Sequence, residues 1–219
     1  FDAGVVIGGH IDSPVFKVTK NSKAFGNHCE FNKVSRYGGQ TSMTWMDRDL
    51  KIAGRVVIQK DGKLYAKTIQ SEKAVCVIPS LACHLISSGI QPNLVDANFR
   101  PIFSLSDRNP KESTLERIIS ELCDCTESEI VDYDISLVSA EKATRTGLTG
   151  DLIHSTRLDD LSCSIPALNA FLSIDKPKTG TIIFAGFDNE EIGSGSKCGA
   201  RSNLINSALK IAGTDNSFL

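Results

Sequence analysis

The sequence predicts an α/β fold with its chemistry at strand ends, and three observations carry that prediction. Thr181-Ile-Ile-Phe-Ala-Gly-Phe187 is a β-branched and aromatic run between Pro177-Lys-Thr-Gly180 and an acidic cluster, so it reads as a core strand. Val5-Val-Ile-Gly-Gly-His-Ile-Asp-Ser-Pro14 repeats the plan: a short apolar strand, a glycine pair, then polar side chains where Pro14 stops the strand. Helical segments with start signals lie between them. Open α/β sheets bind their ligands at such strand ends.

With 219 residues, 41% of them hydrophobic and 23% charged, the chain can bury a core of one large domain or two small ones. A net charge of −2 supplies no basic field for nucleic acid or an anionic membrane. No apolar run reaches spanning length, and no signal peptide is evident at Phe1. The seven cysteines are scattered, odd in number and without a Cys-x-x-Cys pair, which points to reduced thiols in a cytoplasmic protein. The absence of an initiator Met and the abrupt start of a strand suggest a piece of a longer chain.

Residues 15–77 read as β-rich. Val15–Val18 and Arg55–Gln59 have strand character, and Lys60-Asp-Gly-Lys63 is a hairpin turn whose Asp-Gly suits positive φ, with Leu64–Ile69 returning as partner. Asp47, Arg48 and Asp49 read as an ion-pair group satisfied locally in preference to the lining of a binding site. Pro79 and Ser80 read as the first turn of a short helix carrying His84. Residues 86–112 read as polar loop with Pro92, Pro101 and Pro110 as punctuation. Ser113-Thr-Leu-Glu116 is a capping box for a helix through Leu122, and Glu129–Val138 alternates like a strand with one wet face. Ser162–Leu172 reads as a helix despite Pro166 near its first turn, and Ala200–Ile205 as the start of another.

Polar groups cluster where these elements begin or end. His10 and Asp12 are two apart on an extended segment and share a face, so His10 can bind a metal while Asp12 orients it. Asp159 and Asp160 fall at a helix N-terminus, where the dipole stabilises carboxylates. Glu190 and Glu191 are adjacent on a loop, where one can bind a metal and the other accept a proton from water. Each motif alone also suits an ordinary turn, cap or solvated loop. Together they suit a two-metal hydrolase.

Five blocks also resemble, in order, the signature blocks of the aspartyl aminopeptidases, a family of co-catalytic zinc metallopeptidases. They are Gly9-His-Ile-Asp-Ser-Pro14, the stretch from Thr44 to Val56, Ile78-Pro-Ser-Leu-Ala-Cys-His-Leu85, Arg157-Leu-Asp-Asp-Leu161 and Phe187-Asp-Asn-Glu-Glu-Ile-Gly-Ser194. The resemblance implies a mixed sheet flanked by helices for the catalytic α/β domain, residues 1–16 and 149–219, with a β-rich dimerisation domain, residues 17–148, inserted in it. It further implies two zinc ions, with His10 and Glu191 as ligands of one each, Asp159 bridging them, Glu190 as general base and Asp12 as the partner of His10. His84 matches a histidine that reaches a neighbouring subunit's active site. Expected partners are peptides with an unblocked N-terminal Asp or Glu and further copies of the chain, as a dimer-based homo-oligomer up to a dodecamer. No nucleic acid or membrane is expected.

The family pattern has Ala where Gly9 stands, Thr where Ile11 stands and Asn where Asp160 stands. The first two changes read as tolerable, while Asp160 adds a negative charge beside the metals. The implied set gives each zinc only two protein ligands, against three at usual catalytic sites. The expectation is therefore that this chain alone holds metal weakly and that its parent is the active enzyme. The alternatives are a catalytically inactive assembly subunit, and a two-zinc aminopeptidase or deacylase of different specificity. Phosphate binding at the glycines between 193 and 199 is disfavoured by the adjacent Glu pair.

Overall fold

The computed structural model describes residues 4–26, 28–82, 84, 99–105, 114–175 and 180–211. Two compact units result, one of residues 1–14 and 143–219, the other of residues 15–142. The sequence-based boundary at 148 differs because residues 144–146, in strand β11 (Thr144–Thr146), pair with β12 (Leu152–His154) in an antiparallel hairpin of the first unit.

In the first unit, β1 (Gly4–His10) and β13 (Thr181–Phe187) are parallel neighbours, Gly4 opposite Thr181 and His10 opposite Phe187. Their C-terminal ends therefore stop level with each other. Helix α2 (Leu158–Ser173) packs on both strands, and α3 (Leu204–Ile211) follows. Pro166 lies inside α2. Asp159 and Asp160 have non-helical backbone angles, so regular helix begins only beyond them and Pro166 falls within its early turns.

In the second unit, one sheet holds β2 (Val15–Val18), β3 (Ala24–Gly26), β4 (Cys29–Phe31), β5 (Val34–Tyr37), β6 (Asp49–Lys60), β7 (Lys63–Gln70), β8 (Cys76–Val77), β9 (Ile102–Leu105) and β10 (Ile130–Ser139). The order is β3-β4-β9-β8-β6-β10-β2-β5, with β7 on β6. Asp61 and Gly62 both take positive φ, 51° and 73°, so the β6–β7 turn has the conformation that Asp-Gly favours. Helix α1 (Thr114–Cys123) buries Leu115, Ile119 and Cys123 in the core, with Phe16, Leu50, Ile52 and Ile135. Phe16 stacks on Phe99 with ring centroids 5.1 Å apart and meets Trp45 edge-on at 5.3 Å.

Three sequence expectations change here. Described residues 78–82 are not helical, Ser80 hydrogen-bonding the Asp47 carboxylate there, while His84 itself lies in a 3-10 turn. Ile102–Leu105 is a strand between β4 and β8 rather than loop, its apolar residues hidden in the sequence by neighbouring prolines. Arg48 pairs with Glu141 at 2.8 Å and not with its acidic neighbours. The helix over 114–122 is present; Ser113 of its expected capping box lies outside the described residues. Glu30, buried on β4, receives the Thr114 N–H at 2.8 Å at this helix start.

Candidate metal centre

Parallel pairing brings the two polar strand ends together. The Ile11 N–H donates to the Phe187 carbonyl at 2.9 Å, extending the ladder one residue past β1. His10 and Asp12 then leave one strand as Asp188–Glu191 leave the other. Asn189 at φ 60° and Gly193 at φ 100° bracket a single 3-10 turn, Glu190–Ile192, which aims the adjacent glutamates differently.

The His10 ring has distinct surroundings at its two nitrogens. Nδ1 lies 3.1 Å from the Asp12 carbonyl and 3.4 Å from Asp12 Oδ1. Nε2 lies 3.0 Å from Asp159 Oδ1 and 3.9 Å from Glu190 Oε2. A proton on Nδ1 therefore leaves the Nε2 lone pair facing carboxylates, the arrangement of a histidine ligand. Ligand atoms of His10, Glu190 and Glu191 all lie within 4.8 Å of one another. The Asp159 side chain is 85% exposed, so its second oxygen can reach a further partner.

Carboxylates outnumber the single histidine in this cluster. Burial opposes the charged form of His10, but the Asp159 hydrogen bond, the Asp12 carbonyl and the Glu190 and Asp12 charges together raise its pKa above the ordinary value. Burial raises the Glu191 pKa as well; Asp159, Glu190 and Asp12 repel its charge, and only His10 opposes the rise. One histidine among four carboxylates within hydrogen-bond or ligand reach is a donor set that suits a divalent cation with nitrogen and oxygen ligands.

Asp12 does more than orient His10. Its largely buried carboxylate accepts the Glu190 N–H at 3.1 Å and the Glu191 N–H at 3.2 Å, so it ties the glutamate turn to the β1 strand end. Asp160 also departs from expectation. Its Oδ2 accepts the His10 N–H at 3.1 Å and sits 3.1 Å from Ser164 Oγ, which is 3.0 Å from the His10 carbonyl. These contacts draw its pKa below the ordinary value, the His10 N–H being the largest cause. Ser164 was not legible as a site residue; its spacing of four from Asp160 is the one available signal. Gly9 proves constrained, since a Cβ there would lie 2.3 Å from Ser164 Oγ and 2.8 Å from Asp160 Oδ2. Alanine in its place is thus not a free exchange in this chain.

The structure gathers His10, Asp12, Asp159, Glu190 and Glu191 within one unit. His84 is exposed and belongs to the other unit.

A parallel strand pair thus carries a histidine and carboxylates at its carboxyl ends, a donor set that suits a divalent cation. Residues 2–215 match the family model of the aminopeptidase I zinc metalloproteases, and the chain belongs to this M18 family. A probable M18 family aminopeptidase 2 of Clostridium acetobutylicum is 35% identical over 212 residues, covering 94% of this chain and 48% of that protein. The structure of Chaetomium thermophilum mApe1 superposes with a TM-score of 0.85 at 29% identity, over 95% of this chain and 51% of that one. The S. cerevisiae mApe1 dodecamer gives 0.76 at 26% identity, over 99% and 50%. The chain spans about half the length of the relatives it matches. Among the described residues, no helix is long and apolar enough to cross a membrane.

Proposed function

We propose that this chain carries part of a two-zinc aminopeptidase centre acting on peptides with an unblocked N-terminal Asp or Glu. The observation that carries the metal reading is the convergence of His10, Glu190 and Glu191 ligand atoms within 4.8 Å, with Asp159 on His10 Nε2. The acidic preference is supported by the resemblance of the five sequence blocks to the aspartyl aminopeptidases.

His10, Asp159 and Glu191 would hold the zinc ions, Asp159 shared between them. Zinc, when bound, polarises the scissile carbonyl and makes water acidic enough to attack near neutral pH. Glu190 is the general base: its exposed carboxylate takes a proton from the attacking water and delivers it to the leaving amine. Asp12 holds the Glu190–Glu191 turn in place through both backbone N–H groups. The unit of residues 15–142 serves dimerisation, and His84 completes a neighbouring subunit's site in a homo-oligomer of cytoplasmic location; the dodecamer of the S. cerevisiae relative supports that assembly. The rival is an inactive assembly subunit. A retained ring of ligands argues against it, because scaffolding has no physical need for a cluster of mutually repelling carboxylates.

The test is hydrolysis of Asp- and Glu-anilides by this chain, with zinc titrated in and then chelated, alongside metal content per chain. Chelator-sensitive turnover, faster on acidic than on neutral anilides, is expected if the chain presents a complete site in its assembly. No turnover with less than one tightly held zinc per chain would favour the inactive reading for this chain.

A further inference from the structure

Asp160 looks like a metal ligand from its place beside Asp159, but its geometry assigns it different work. Its Oδ2 faces the His10 backbone, accepting that N–H at 3.1 Å, while Ser164 Oγ lies 3.0 Å from the carbonyl of the same residue. The single Ser164 hydroxyl proton serves either that carbonyl or Asp160 Oδ2, 3.1 Å away. With that proton on the carbonyl, Asp160 and Ser164 meet both polar backbone groups of the residue whose side chain projects Nε2 toward Asp159 and Glu190. Ser164 is buried, so its end of the arrangement is shielded from water. Gly9 leaves the space they need: any β-carbon there would enter the volume of Ser164 Oγ.

We propose that Asp160 and Ser164 are a positioning pair that clamps the His10 peptide and so sets the imidazole for its metal, that Gly9 is required for this clamp, and that Asp160 is not a ligand. The proposal rests on the reading of His10 as a zinc ligand. In this chain, with Gly9 present, Asn in place of Asp160 would serve the clamp equally. The clamp needs a side-chain oxygen that accepts from an N–H, and either residue supplies one. A bridging or terminal ligand needs the charge; a clamp needs only the oxygen.

Two readouts on the whole chain separate these roles: hydrogen exchange at the His10 amide without metal, and zinc affinity by competition with a chromophoric chelator. Asp160→Ala is expected to speed His10 exchange about tenfold or more and to weaken zinc binding by about tenfold, the lower end of losses when a residue holding a metal ligand is removed. Ser164→Ala and Gly9→Ala shift both in the same direction. Asp160→Asn restores both to near the unsubstituted values, whereas Asp159→Asn loses zinc and leaves His10 exchange alone. If Asp160→Asn weakens zinc as much as Asp160→Ala, Asp160 is a ligand and the proposal falls. If Asp160→Ala leaves His10 exchange unchanged, there is no clamp. Should the unsubstituted chain take up no zinc, the metal reading fails for this chain, and the amide readout alone still decides whether the clamp exists.

Discussion

The two units hold themselves together by different means. Among the described residues, every buried apolar side chain except Ala185 belongs to residues 15–142, where Phe16, Leu50, Ile52, Val56, Leu115, Ile119, Ile135 and Leu137 are fully enclosed. In the unit that carries the candidate site, Val6 is 49% exposed and Leu172 69%. Parallel strands normally have both faces covered, and β1 reads as the apolar run of such a strand. The sheet unit is therefore stabilised by burial, whereas the site is ordered by hydrogen bonds between specific backbone groups and Asp12, Asp160 and Ser164. Apolar truncation should hurt the first most, and loss of a single acceptor the second.

Phe16→Ala gives the largest expected effect. It deletes a fully buried ring that contacts Phe99 and Trp45, and truncations of this kind cost about 3–5 kcal/mol. Val6→Ala, removing a half-exposed side chain, should cost under about 1 kcal/mol, the usual surface range. Urea unfolding followed by amide exchange, which reports each unit separately, measures both. Similar costs at the two positions would break the comparison.

Gly54→Ala comes next. A Cβ on Gly54 would stand 2.1 Å from the Asp134 carbonyl oxygen, and this neighbour is backbone within the β6–β10 ladder. Relief requires the strands to part, so a cost of about 1–3 kcal/mol is expected. Gly62→Ala, at φ 73° in the hairpin turn with open space around it, pays only for its backbone angle and should cost about 1 kcal/mol. Denaturation midpoints of the two variants distinguish a steric glycine from a conformational one.

Asp12→Ala carries the comparison to the site. It removes the acceptor of two N–H groups on the glutamate turn, and zinc affinity should fall about tenfold while the sheet unit's unfolding midpoint stays where it was. A lowered midpoint for residues 15–142, with zinc affinity intact, would reverse the assignment of roles. Competition with a chelator and urea unfolding supply the two numbers.

What the sequence disclosed follows the same divide. Thr181–Phe187 and the Asp61-Gly62 turn were legible because apolar runs and positive-φ residues act locally. The carboxylates and His10 were visible as polar groups stopping apolar strands. The partners of Arg48 and Asp160 were not, because Glu141 lies 93 positions from Arg48 and His10 lies 150 from Asp160. Ser80 misled, since its cap-like position after Pro79 serves a distant carboxylate rather than a helix. Ser164 has only its spacing of four from Asp160 as a local signal: a serine on a helix acquires its role when parallel pairing brings β1 against it.

Asp47 yields the smallest expected effect and tests whether exposed polar ties matter in the sheet unit too. Its carboxylate accepts the Ser80 hydroxyl at 2.5 Å and the Ser80 N–H at 2.8 Å, and these bonds, the hydroxyl first, hold its pKa below the ordinary carboxylate value. Between the folded and unfolded pKa values the unfolded chain binds more protons, so stability from this group rises with pH there. It is fully present above the unfolded value of about 4 and disappears as pH falls through the folded one. Asp47→Asn keeps a side chain that tolerates the positive φ of 58° at this position, so backbone strain does not confuse the comparison. The variant should be slightly less stable at pH 7 and approach the unsubstituted chain as pH is lowered toward 3, as read from urea midpoints. A gap that stays constant across that range would show that the Asp47 charge contributes nothing and that the sheet unit depends on its buried core alone.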